Sequence, residues 1–299
     1  MDWTTDPREL PLPMTRAEIE YLLVTRKASP LRLNKCNLAR LDLSRLNLQG
    51  ADLRWANLEG ARLCETNLAH AQLEDARLTG ADLSHAHLEH ANLTGANLSR
   101  ANLTDAHLWE ANLTAADVGE ANLRGAHLSE ATLHSTYFQE ADLTEAHLFR
   151  ADLSNAYLRR ACLRGAELIE AKLIVADLLG ADLRGASLRD ADFSGADVCQ
   201  TQLAGAYVCG VCFLGACLMD VDFTGVRGET DSMLVMRAWL TERTKAQLEA
   251  LGVTGLGPVG LEHKNRILPV AIPHPLSTCT LWNEAFPEDD TRASAPPIS

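Results

Sequence analysis

The sequence predicts an all-β solenoid, a parallel β-helix with a short helical cap at each end. From residue 31 to residue 225 the chain keeps a period of five without an insertion, for 39 units. Within a unit, Ala and Leu stand two residues apart, so both point to one side while the Asp or Asn between them points away. A single unit cannot bury its Ala and Leu alone. Successive coils must therefore stack to close a core.

Positions in each unit are numbered one to five, as in "ADLRW" (51–55). Position 1 is usually Ala, position 2 Asp or Asn, and position 3 Leu. These three residues form a short extended segment, and positions 4 and 5 form a corner. Each unit is thus predicted to be one side of a coil.

The N-terminal segment, 1–30, is predicted to carry a capping helix over 14–27. Thr15 and Glu18 have the spacing of a capping box. One helical face is apolar. It consists of Ile19, Leu22 and Leu23. An open β-helix end exposes apolar core and unpaired backbone, so this helix is expected to cover it.

The C-terminal segment, 226–299, is predicted to be a helical cap followed by a Pro-rich irregular tail. Two short helices are expected over 230–252. The second has Thr244 and Gln247 in capping-box spacing and is expected to end at Gly252. The residues expected to cover the last coil are Trp239 and Leu240.

The motif "GADLRWANLEGARL" (50–63) resembles the pentapeptide-repeat family. That resemblance implies a right-handed quadrilateral β-helix in which four units make one coil, giving about ten coils over 31–225. Some members of the family act on DNA gyrase and related topoisomerases as acidic mimics of DNA. The resemblance therefore also implies a possible topoisomerase modulator.

Composition excludes several classes of function. The formal net charge is -13 and the pI is about 5.2, which argues against direct nucleic-acid binding and for a partner with a basic surface. A signal peptide or membrane span is not predicted, and we expect a cytoplasmic protein. The sequence shows neither a nucleophile paired with a base nor a phosphate-binding Gly loop, so we predict a non-enzymatic protein without a cofactor.

With four units in a coil, residues twenty apart lie on one face. The units 46–50, 66–70 and every twentieth residue onward to 206–210 form what we call the histidine face. It holds six of the eight histidines of the repeat region and is also its most acidic face. The histidines of position 2 are His87, His107, His127 and His147, and those of position 5 are His70 and His90. The other candidate partner-binding residues are Trp109, Phe149, Ile169, Glu110 and Glu130.

Two interpretations of this face stay open. It is either a binding surface for a basic and partly apolar protein partner, or the product of duplicating one coil. A metal site is not predicted, because a straight column with a spacing of about 4.8 Å offers at most two nitrogens to one ion. Mild acid should change the charge of the face sharply, but the direction of any pKa shift cannot be decided from the sequence.

The cysteines allow a zinc or redox site at "VCGVCFLGAC" (208–217). In register, however, Cys209, Cys212 and Cys217 fall on three different faces. Reduced thiols are therefore favoured for all eight cysteines. A second apolar surface, the belt of Ile169, Ile174, Val175 and Leu179, is equally consistent with a homodimer contact and with a seat for the C-terminal tail.

Together these observations predict a non-enzymatic interaction or scaffold protein that presents a rigid acidic surface. The alternative is a modulator or protector of gyrase or topoisomerase that mimics DNA. An unbroken repeat and 16 basic residues among 26 acidic ones weaken that alternative.

Overall fold

The structure, a computed structural model, describes residues 14–25, 30–254 and 256. Their elements are helix α1 (Arg16–Thr25), strand β1 (Cys217–Leu218), a 3₁₀ turn (Thr230–Ser232), strand β2 (Trp239–Leu240) and helix α2 (Glu242–Ala250). Between α1 and β1 the chain winds as a solenoid in which each unit contributes a single bridging residue. No helix among the described residues is long and apolar enough to cross a membrane.

Parallel bridges join residues twenty apart, as in Arg32 to Asp52 and Asn37 to Asn57. A turn follows every unit. Each coil therefore has four sides, and this confirms the predicted four units per coil. Three backbone bonds link each unit to the neighbouring coils. Position 3 donates to position 2 of the next coil, as from Leu33 N to Asp52 O at 2.7 Å, and position 5 donates to position 4 of the next coil. Position 2 donates to position 1 of the preceding coil.

The interior contains the residues of positions 1 and 3. Nearly every Ala and Leu at these positions is fully buried, for example Ala51, Leu53 and Ala56. Threonines replace Ala in three units and bury their hydroxyl groups, each of which donates to a carbonyl of the preceding coil. The pairs are Thr66 with Leu43, Thr136 with Leu113, and Thr201 with Leu178. The core thus accepts a hydroxyl only where it finds an acceptor.

The corner explains two features of the repeat. Position 5 has a positive φ in every unit, which the third residue of a type II turn requires and which glycine adopts without strain. In many units the position 2 side chain accepts from the N–H of position 4. Asn67 Oδ1 accepts in this way from Ala69 N at 3.0 Å. Asp and Asn at position 2 therefore hold the turn that follows them.

Helix α1 begins with the predicted capping box. Thr15 N donates to Glu18 Oε2 at 2.7 Å, and Glu18 N donates to Thr15 Oγ1 at 3.3 Å. Ile19 is fully buried in the hydrophobic core. Helix α1 also supplies hydrogen-bond donors to backbone carbonyls at the open edge of the first coil. Arg16 donates to Asp42 O and Ser44 O at 3.1 and 3.2 Å. The last two residues of the predicted helix lie outside the described residues.

The winding does not stop at Gly225, and the expectation of two helices over 230–252 is wrong for the first of them. Arg227 bridges Tyr207. After the 3₁₀ turn, Leu234 bridges Cys212, and β2 pairs in parallel with β1. These last pairs are 22 residues apart instead of twenty. Seven residues, 226–232, replace one unit, and the coil then resumes as "MLVMR" and "AWL".

Leu240 is buried as a core residue of this last coil, whereas Trp239 is 42% exposed. Helix α2 follows, but its cap is Thr241, whose side chain accepts from Thr244 N. The expected capping box at Thr244 and Gln247 is thus wrong by three residues. The predicted end of the helix near Gly252 is confirmed, since Gly252 has a φ of +81°.

Candidate functional site

The histidine column consists of four stacked imidazole rings in successive coils. Bridges join His87, His107, His127 and His147 in order. The ring centroids are 4.8, 5.1 and 4.6 Å apart, and the planes differ by only 13° to 24°. The spacing of the coils therefore brings adjacent rings into contact.

These histidines occupy position 2, where Asn or Asp holds the turn in many other units. Below them in the same column, Asn47 and Asn67 accept from the N–H groups of Gln49 and Ala69 at 3.2 and 3.0 Å. In the described structure, none of the side chains of His87, His107, His127 and His147 accepts a hydrogen bond from the N–H of position 4. The histidine column thus replaces four turn bonds with ring stacking.

Carboxylates surround the column unevenly. Glu89 Oε1 lies 3.0 Å from His87 Nδ1 and 3.9 Å from His107 Nδ1. Glu167 Oε2 lies 2.9 Å from His147 Nδ1. His127 has no ion pair in the described part of the chain. Although His127 is largely exposed, partial desolvation within the stack lowers its pKa, with smaller contributions from the positive charges that His147 and His107 would carry.

A second cluster lies at the corner of the same face. The rings of His70 and His90 stack with centroids 4.8 Å apart, and the rings of His90 and Trp109 make a T-shaped contact with centroids 4.9 Å apart. His90 Nδ1 lies 3.2 Å from Glu110 Oε2. The indole of Trp109 is 42% exposed. Sequence reasoning therefore placed His90, Trp109 and Glu110 together correctly, but it did not foresee their contacts.

The remaining predicted residues lie on the same face with fewer contacts. Arg150 packs over the ring of Phe149 at 4.7 Å. Ile169 is half-buried and Glu130 is exposed. His85, in contrast, lies on another face, 4.0 Å from Asp105. The local histidine cluster of the sequence is thus divided between two faces.

Two features of the surface were not predicted from the sequence. Tyr137 and Tyr157 stack at 4.8 Å at position 2 of the opposite face, and their spacing of twenty residues was the available signal. Many acidic residues also pair with arginines, commonly in the next coil. Such pairs include Arg45 with Glu65, Arg100 with Glu120, and Arg150 with Glu170. The acidic surplus is therefore interrupted by positive charge.

The expectation of reduced thiols at all cysteines is wrong for one pair. Cys199 and Cys217 form a disulfide across one coil. The two residues are eighteen apart in sequence, and the twenty-residue coil makes them neighbours on one face. Five other described cysteines are free: Cys36, Cys64, Cys162, Cys209 and Cys212.

Comparison with known proteins identifies the repeat. The family model for pentapeptide repeats matches in eight copies between residues 32 and 225. HetL, a pentapeptide repeat protein involved in heterocyst differentiation regulation in the cyanobacterium Nostoc sp. strain PCC 7120, is 34% identical. The match covers 75% of this chain and 94% of HetL, with a TM-score of 0.42.

Two further solved structures are similar. QnrB1, a plasmid-mediated fluoroquinolone resistance protein, is 17% identical over 73% of this chain and 96% of its own, with a TM-score of 0.31. A pentapeptide repeat protein from the Arabidopsis thaliana thylakoid lumen is 30% identical over 42% of this chain and 79% of its own, with a TM-score of 0.23. No curated protein sequence matches. The family model covers well over half of the residues, and the chain belongs to the pentapeptide-repeat family.

Proposed function

We propose that this protein is a non-enzymatic interaction or scaffold protein whose histidine face binds a partner protein with a basic and partly apolar surface. Membership of the pentapeptide-repeat family implies a right-handed β-helix and is consistent with a non-enzymatic role. The observation that carries the proposal is the column of four stacked histidines at a position where Asn or Asp holds the turn in many other units.

Folding alone does not favour these histidines. A turn bond of the kind made by Asn67 contributes about 0.5 to 1.5 kcal/mol. Four units give up that bond and expose stacked rings instead. His87 and His107 keep 48% and 44% of their side-chain surface exposed. A partner that buries these exposed rings would provide favourable contact free energy that is absent in the unbound protein.

The chemistry around the column suits such a partner. Trp109 and Phe149 offer aromatic surface, and aromatic residues are enriched at the centres of protein interfaces. Glu89, Glu110 and Glu130 add negative charge, which favours a basic surface and speeds its association. The belt at Ile169, Ile174, Val175 and Leu179 continues this apolar surface and is the proposed contact if the chain forms a homodimer.

The test compares two opposite faces of the full chain. Immobilised wild-type protein, a Trp109→Ala/Phe149→Ala variant and a Tyr137→Asn/Tyr157→Asn variant are exposed to native cell extract, and retained proteins are identified by mass spectrometry. We expect one defined partner that the wild type and the opposite-face variant retain and the Trp109/Phe149 variant loses. Binding to that purified partner should then weaken at least about tenfold. Equal retention by all three proteins would refute the proposal.

A second candidate is a DNA-mimicking modulator or protector of DNA gyrase or topoisomerase. It is favoured by the acidic surplus of the repeat region, 26 acidic against 16 basic residues. The arginine pairs described above interrupt this charge, so we rank the candidate second. A supercoiling assay with gyrase, with and without a quinolone, decides it. No change in either condition removes this candidate and leaves the first intact.

The two helices are proposed to cap the solenoid. Arg16 binds two edge carbonyls of the first coil, and Ile19 inserts into the core. At the other end, Leu248 of α2 is fully buried and Thr230 Oγ1 donates to Leu251 O at 2.6 Å. Covered ends would keep rods from stacking end to end. The predicted Pro-rich tail lies outside the described residues.

A further inference from the structure

The contacts of Glu89 with two histidines point to a metal site on the histidine face. We propose that His87, Glu89 and His107 bind one divalent transition-metal ion, Zn²⁺ in the first instance, and leave at least one coordination position open. This inference does not depend on whether the face binds a protein partner.

The donor set is the first argument. One ligand atom from each of the three residues lies within 4.8 Å of the other two. Two imidazole nitrogens and one carboxylate oxygen form the set that binds zinc in several enzymes with water in the fourth position. Imidazole favours late first-row ions over Mg²⁺ and Ca²⁺, which prefer oxygen ligands.

The distances are the second argument. Around a tetrahedral zinc ion with ligand bonds near 2.1 Å, ligand atoms stand about 3.4 Å apart. Glu89 Oε1 lies 3.0 Å from His87 Nδ1 and 3.9 Å from His107 Nδ1, so the two distances bracket that value. Both imidazoles are nearly half exposed and can tilt toward the carboxylate. Binding therefore requires side-chain rotation and leaves the coil unchanged.

The register of the repeat makes this site distinct from the rest of the column. Glu89 stands at position 4 of the unit "AHLEH" (86–90), and the corresponding residues beside the three later histidines are Trp109, Ser129 and Phe149. His147 contacts Glu167, but no second histidine nitrogen stands at ligand spacing from that carboxylate in the described structure. The other described group with ligand spacing, Asp197 with Cys199 and Cys217, has its two sulfurs joined to each other.

The absence of a metal site was predicted from the histidine column alone, which offers two nitrogens to one ion. The third ligand, Glu89, belongs to the corner of the unit. Its contacts with His87 of its own coil and His107 of the next coil depend on the side-chain conformation.

Titration of the metal-free full-length protein with Zn²⁺ alone, followed by calorimetry, tests the site. The test variants are Glu89→Gln and His107→Asn, and the matched controls on the same column are Glu167→Gln and His147→Asn. Far-UV circular dichroism verifies that each variant is folded. Co²⁺ absorption reports the ligand geometry, and Mg²⁺ serves as the hard-ion control.

We expect a Zn²⁺ site that both test variants weaken at least about tenfold, since loss of even an outer partner of a metal ligand costs that much. Both controls should bind like the wild type, and imidazole resonances of His87 and His107 should shift while those of His147 do not. Absence of saturable binding to the wild type would overturn the proposal. Equal weakening by Glu89→Gln and Glu167→Gln would also overturn it, because the ion would then bind the column without preference.

Discussion

The substitution His127→Asn measures what the histidine column does to stability. Asn at this position can accept from Ser129 N as Asn67 accepts from Ala69 N, which contributes about 1 kcal/mol. The substitution also removes ring contacts at 5.1 and 4.6 Å, each contributing about 0.5 kcal/mol for exposed rings. At pH 7.5 the gain and the loss offset, and the free energies of unfolding of the wild type and the variant should differ by less than about 1 kcal/mol.

At acidic pH the free energies of unfolding of the wild type and the His127→Asn variant should differ. Partial desolvation within the stack, followed by the charges of His147 and His107, lowers the pKa of His127, so the folded chain binds fewer protons there than the unfolded chain. The wild type therefore loses stability as the pH falls through the unfolded value near 6.5 toward the lower folded value. Two unit charges at these ring separations repel by about 1 kcal/mol in water. Two such pairs give the Asn variant an advantage of up to about 2 kcal/mol, which Asp105 and Glu167 reduce.

Urea midpoints measured between pH 7.5 and pH 5 check this expectation. The matched control is His134→Asn, since His134 lies on another face and belongs to no described ring stack. The midpoint of the wild type should fall relative to His127→Asn with decreasing pH, and the control should follow the wild type. Parallel curves for the wild type and His127→Asn would show that the stacked rings do not repel on protonation and would refute the reasoning.

Three further substitutions test the ends and the interior of the solenoid. Thr136→Val removes the hydroxyl that donates to Leu113 O at 2.7 Å and should lower the free energy of unfolding by about 1 to 3 kcal/mol in chemical denaturation. Ile19→Ala should lower the free energy of unfolding by about 2 to 4 kcal/mol. Because it uncovers the first coil, it should also increase association of the protein, as measured by light scattering. Reduction of the Cys199–Cys217 disulfide should cost about 2 to 4 kcal/mol, and a Cys199→Ser/Cys217→Ser variant should lose all sensitivity to reductant.

The sequence predicts the solenoid well because its register is local. Burial at positions 1 and 3 and the corner at positions 4 and 5 recur in every unit. The neighbouring units therefore establish the register even where one unit has an unusual residue. The structure confirms this from Leu33, the first fully buried Leu, to Phe223. The residues of the histidine face could be assigned once the resemblance to the family implied four units per coil, since residues twenty apart then align.

Predictions failed where the fold departs from a fixed period. The seven residues 226–232 shift the register by two, so Met233, Val235, Ala238 and Leu240 keep the spacing of positions 1 and 3 but are out of phase with the preceding units, and this segment was predicted to be a helix. The disulfide joins residues eighteen apart, a contact that appears only after the coil is built. The reach of Glu89 toward His87 and His107 depends on side-chain rotation, which periodicity does not determine.

The four histidine units themselves help to decide between a retained surface and simple duplication. Duplication of a coil copies every surface residue, and later change then acts on each copied position. Position 4 of these units has become different in every copy: Glu89, Trp109, Ser129 and Phe149. Position 5 also varies: His90, Glu110, Glu130 and Arg150. Position 2 is His in all four although Asn would restore a turn bond there. Exposed neighbours differ between these units while the stacked rings are the same, and this favours the proposed binding surface over duplication alone.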